Sequence, residues 1–118
     1  AHAQHGITRL QDSHVDTLKN LQGELDMNTS ETLRQAIDTE IERRGIRTVI
    51  LNLEEVSFID SSGLGVILGR YKKLLPMGGK MIITNVPSHI YKIMELSGLP
   101  RIIEFENTPS RKMEGREK

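Results

Sequence analysis

The 118-residue sequence has no cysteine and no tryptophan, and only two tyrosines and two phenylalanines. Without cysteine there is no disulfide framework, thiol nucleophile or cysteine-based metal site. So few aromatic residues leave no platform on which single-stranded bases could stack, and any core must come mainly from Ile, Leu, Val and Met. A net charge is missing too, since 16 basic residues balance 16 acidic ones. No strong field would steer the chain onto nucleic acid or an anionic membrane. No apolar run approaches the ~20 residues needed to cross a bilayer. The opening AHAQHGITRL lacks the apolar segment of a secretory signal. A soluble cytoplasmic protein with no membrane partner and no direct nucleic-acid partner is the expectation, and a chain of this length suits one domain.

The most informative stretch is Val49 to Gly69, VILNLEEVSFIDSSGLGVILG. An apolar run, an acidic and polar connection, and Asp-Ser-Ser-Gly before a second apolar run read as buried strand, loop and helix mouth. Around it, Ala1 to Asp12 suggests a frayed end or a short edge strand, and Val15 to Gly23 an imperfect strand interrupted by Asp16, Lys19 and Asn20. Asn28 with Glu31 forms a capping pattern for a helix whose apolar face is Leu33, Ala36, Ile37 and Ile41, stopped at Gly45. Arg47 to Leu53 reads as a central strand. Leu64, Ile67, Leu68, Tyr71, Leu74 and Leu75 share a helical stripe ended by Pro76 and Gly78-Gly79. Lys80 to Val86 is the next strand, and Pro87 opens a third helix carrying Ile90, Ile93, Met94 and Leu96. Arg101 to Phe105 is a last short strand. Residues 1–106 thus form the domain, and the charged tail, residues 107–118, is expected to be disordered.

Alternation of strands and helices implies an α/β fold with a largely parallel or mixed sheet and right-handed crossovers. The loops Glu24 to Asn28, Glu54 to Ser61 and Val86 to His89 then gather on one edge, where open α/β folds usually place function. Taken as residues, Asp60-Ser61-Ser62-Gly63 has two readings. One is a plain helix cap; the other is a phosphoacceptor, because a helix N-terminus favours an anion. Gly63, Gly65 and Gly69 miss the dinucleotide fingerprint, which would need glycine in place of Leu68. Neither a P-loop nor a G-x-S-x-G elbow is present. His2, His5, His14 and His89 show no ligand-like pairing. Asp60 as an acyl-phosphate acceptor would need magnesium-binding carboxylates, for which Asp26 alone is offered.

LQGELDMNTSETL, TVILNLEEVSFIDSSGLGVILGRYKKL and GGKMIITNVPSHIYKIMELSGLPRIIEF together resemble the anti-sigma factor antagonists of the STAS family, over most of Leu21 to Phe105. The sporulation branch, which acts on sigma-F, is the nearer one; a stress sigma pathway is the alternative, and a small nucleotide-binding protein a remoter one. The resemblance implies a single STAS domain that is not an enzyme and needs no cofactor or metal. It implies binding to an anti-sigma factor that is itself a serine kinase, phosphorylation at Ser61, and reversal by a serine phosphatase. Asp26, Met27, Asp60, Ser61, Ser62, Gly63 and Leu64 would form the docking surface of a chain that is monomeric when free. Two departures stand out: the polar interruptions in the strand before Gly-Glu-Leu-Asp, expected to make it irregular, and a terminus without the family's apolar helical periodicity.

Overall fold

The strand Thr48–Ile59 is the spine of the molecule. In the computed structural model, which describes residues 7–9 and 16–107, the chain runs β1 (Ile7–Arg9), β2 (Asp16–Leu25), α1 (Ser30–Arg44), β3 (Thr48–Ile59), α2 (Ser61–Leu74), β4 (Lys80–Thr84), α3 (Ser88–Leu96) and β5 (Glu104–Glu106). The described strands form one sheet in the order β1-β2-β3-β4-β5, parallel from β2 to β5 with β1 antiparallel at the margin. Each crossover steps the same way, so right-handed connections lay α1, α2 and α3 on a single face. Under the helices the register aligns Thr17, Val49 and Met81 in one row and Lys19, Leu51, Ile83 and Phe105 in the next. Ile37 and Ile41 of α1, Ile67 and Leu74 of α2, and Ile90 and Met94 of α3 close that core.

Several boundaries differ from the sequence reading, each for a physical reason. Residues Glu54 to Ile59, expected to be a loop, continue β3. β4 accompanies β3 only as far as the pair Asn52–Thr84, whereas β2 follows it to Leu25–Ile59. The last part of β3 is therefore half of a two-stranded ribbon projecting beyond the sheet. Glu54, Glu55, Ser57 and Phe58 are exposed there while Val56 and Ile59 are buried, which gives the segment its loop-like composition. The strand before it is ordered despite its polar residues, with register shifts between Asn20 and Gln22 and between Gly23 and Glu24. Gly23 adopts a φ of +81°, a left-handed conformation open to glycine at little cost.

At α1 the expected Asn28–Glu31 box does not form. The helix begins at Ser30, and Thr29 at its mouth makes no side-chain cap. On α2 the predicted stripe divides: Ile67 and Leu74 are buried, Leu64, Leu68 and Tyr71 are half-buried, and Leu75 is exposed in a 3₁₀ turn over Leu75–Met77. Leu96, expected on the buried face of α3, is 88% exposed. A 3₁₀ turn over Leu99–Arg101 delays the last strand to Glu104, and β4 ends at Thr84 rather than Val86. Phe105 packs edge-to-face on Tyr91, with ring centroids 5.6 Å apart. The tail beyond Asn107, and three of the histidines, lie outside the described residues.

Candidate partner-docking site

The ribbon made by the ends of β2 and β3 delivers two turns to the same place. The Asp60 N–H donates to Leu25 O at 3.1 Å, which ties the start of α2 to the end of β2. At Gly63 an added Cβ would lie 2.5 Å from that same Leu25 oxygen, so the absence of a side chain is what allows α2 to sit this close. Asp60 caps α2: its Oδ1 accepts the Ser62 N–H at 2.8 Å and the Gly63 N–H at 3.2 Å. The carboxylate thereby satisfies two orphan donors and complements the positive end of the helix. This cap was legible in the sequence.

Asp26 performs the corresponding task in the neighbouring turn. Its Oδ1 accepts the Asn28 N–H at 2.9 Å and the Thr29 N–H at 3.2 Å. The Thr29 hydroxyl donates to Glu24 O at 2.8 Å and accepts the Asp26 N–H at 3.0 Å, and the Ser30 hydroxyl donates to Asp26 O at 2.6 Å. These bonds lock the turn and project Met27, 72% exposed. An exposed thioether on a braced loop is a ready apolar contact for a partner.

Ser61, at the first helical position, is exposed, and its hydroxyl makes no hydrogen bond to any described residue. Ser62 is half-buried and Gly63 buried, while Leu64 is half-buried and packs against the core. The predicted residues therefore separate by role. Asp26, Asp60 and Gly63 shape the surface, and Met27 and Ser61 are its accessible groups. Sequence reading missed Phe58, which is 46% exposed and registers opposite Glu24 beside the mouth; its signal was an aromatic at an outward position just before the Asp-Ser-Ser motif. His89, expected in the third loop, lies instead in the first turn of α3 and reaches the same edge through a 3.1 Å contact between Nε2 and Ser57 O. Among the described residues no group of three or more His, Asp or Glu side chains gathers into a metal-binding cluster.

A one-sided, mostly parallel sheet with an exposed serine opening the Asp60-capped helix at its projecting edge fits a STAS domain. The family model for that domain matches residues 8–111, and the chain belongs to the family. Within it, the chain is similar to the anti-sigma F factor antagonist of Paenibacillus polymyxa, 43% identical over 83 residues that cover 70% of this chain and 71% of that protein. It is also similar to the anti-sigma-B factor antagonist of Listeria monocytogenes, 31% identical over 94 residues and 80% of each chain. Among solved structures, the anti-sigma factor antagonist SpoIIAA in its unphosphorylated form superposes with a TM-score of 0.73 at 30% identity, covering 92% of this chain and 94% of that one. The phosphorylated form of SpoIIAA, a Bacillus cell fate determinant, gives 0.67 at 30% identity over 92% of this chain and 97% of that one. No described helix is long and apolar enough to span a membrane.

Proposed function

We propose that this chain is an anti-sigma factor antagonist of the sigma-F type, a binding module without catalytic chemistry of its own. In its unphosphorylated form it engages an anti-sigma factor and so releases the sigma factor. The anti-sigma factor is a serine kinase that phosphorylates Ser61, and a serine phosphatase restores the hydroxyl. The observation that carries this reading is the state of Ser61, exposed and unbonded beside the Asp60 cap. The higher identity to the sigma-F antagonist than to the sigma-B antagonist favours the sporulation branch.

The docking surface consists of Ser61, Ser62, Gly63 and Leu64 from α2, Asp60 before it, and Asp26 and Met27 from the adjoining turn. Phosphorylation adds about −1.5 to −2 charges. The helix N-terminus tolerates that anion, so the domain stays folded. A partner covering the surface would have to desolvate the phosphate beside the Asp60 carboxylate, which opposes association. The test is incubation with the cognate anti-sigma kinase and ATP, followed by location of the phosphate by mass spectrometry. The native chain should carry a single phosphate on Ser61 and the Ser61→Ala variant none. Undiminished phosphorylation of that variant would remove the assignment.

A further inference from the structure

The turn between β2 and α1 is held by the side chains of Asp26, Thr29 and Ser30, which make its hydrogen bonds. Met27 stands among them with 72% of its surface exposed. Its thioether is an apolar group that a peroxide turns polar. Burial sorts the five methionines of the chain: Met81 and Met94 are sealed in the core, Met77 is 37% exposed, and Met113 lies outside the described residues. Met77 sits in the 3₁₀ turn at the far end of α2, about 20 Å from Ser61 by the rise of a 14-residue helix. Among the described methionines, the most accessible sulfur is therefore the one on the edge that carries Ser61. We propose that Met27 is an oxidation site, where a peroxide converts the thioether to a sulfoxide and so weakens docking of the partner.

The step is a two-electron oxygen transfer. A lone pair on Sδ attacks one oxygen of hydrogen peroxide, and the S–O bond forms as the O–O bond breaks. The departing oxygen takes the proton of the attacked hydroxyl and leaves as water, so sulfur is oxidised, peroxide is reduced and no charge is added. The product keeps the length of methionine but carries a hydrogen-bond acceptor. Free in solvent, that oxygen is hydrated; beneath a partner it must find a donor or lose its hydration, which opposes the apolar contact the thioether offers. The turn keeps its shape, because other side chains make its bonds. Oxidation thus acts on docking rather than folding, and sulfoxide reductases reverse it. A phosphate on Ser61 works through charge instead.

This inference rests on the reading of Met27 and Ser61 as parts of one docking surface, and its test separates the two. The full chain is treated with hydrogen peroxide, the excess is removed with catalase, and oxygen uptake at each methionine is mapped by peptide mass spectrometry. Met27 should oxidise at least about tenfold faster than the buried Met81 and Met94. Affinity for the proposed anti-sigma kinase is measured by surface plasmon resonance before and after treatment. It should fall roughly tenfold on oxidation, with the melting temperature unchanged, and return after incubation with sulfoxide reductases that act on both epimers. Met27→Leu, which lacks the sulfur, should bind equally before and after peroxide, whereas Met77→Leu should stay as sensitive as the native chain. Slow oxidation of Met27, or a peroxide-induced loss of affinity that persists in Met27→Leu, overturns the proposal. A native chain that does not bind the kinase before treatment removes the docking reading and the proposal with it. One that binds and is indifferent to oxidation of Met27 removes the proposal alone.

Discussion

Gly63 marks the closest approach between the start of α2 and the end of β2. Besides the Leu25 oxygen, a Cβ there would meet Ile59 Cγ1 and Leu25 Cβ at 2.9 Å each, and backbone on one side leaves little room to relax. Gly63→Ala should therefore lower stability by about 1–3 kcal/mol in urea denaturation. Gly65, two residues on, faces open space, so Gly65→Ala should hold or gain up to about 1 kcal/mol from helix propensity. Equal losses at both positions would count against the contact. Sequence could place these glycines on a helix but could not tell the crowded one from the free one, because a strand remote in the chain does the crowding. The same holds for the caps. Asp60 was legible because it directly precedes its helix, while Asp26 prevailed over Asn28 by satisfying the turn's donors from two and three residues upstream. Lys19 interrupts an apolar pattern on paper, yet in three dimensions it sits inside it.

Between α1 and α2 the contact is ionic as much as apolar. Asp38, its side chain 13% exposed, lies 3.0 Å from Arg34 Nη1, 3.0 Å from Arg70 Nε and 3.8 Å from Lys73 Nζ. The Arg70 contact is an ion pair rather than an aligned hydrogen bond. Lys73 also pairs with Glu42 of α1. Removing the central carboxylate strands Arg70, whose side chain is 15% exposed, so Asp38→Ala should cost about 1–3 kcal/mol. Glu31 pairs with Arg34 at the exposed surface, and Glu31→Ala should stay within about 0.5 kcal/mol. Thermal melts followed by circular dichroism would separate the two; comparable losses would mean the seam is not centred on Asp38. At this scale apolar periodicity located the three described α-helices, because each buries one side on the sheet. It said nothing of the polar seam, which joins side faces of two helices. It also stopped β3 at Leu53, since a ribbon with one neighbour exposes residues that a central strand would bury.

For the molecule as a whole, the proposed docking surface stands apart from the core. The serine lies on a projecting edge, and the buried rows of Ile, Leu and Val lie beneath the helices. A charge added at Ser61 should therefore change what the domain binds far more than whether it folds. Ser61→Asp should move the melting temperature by less than about 5 °C while reducing affinity for the proposed anti-sigma kinase at least tenfold, read by calorimetry and surface plasmon resonance. Equal affinity would remove electrostatic repulsion as the switch. The alternating elements made the parallel architecture legible, and chain handedness then put the helices on one face. The two ends of the sheet carry a further consequence. β1 and β5 are three residues each, and Glu104 and Glu106 are exposed on β5, where the neighbouring Glu104 raises the proton affinity of the Glu106 carboxyl. A strand from a second molecule would find a short, negatively charged template at the β5 margin, which disfavours sheet-to-sheet pairing there.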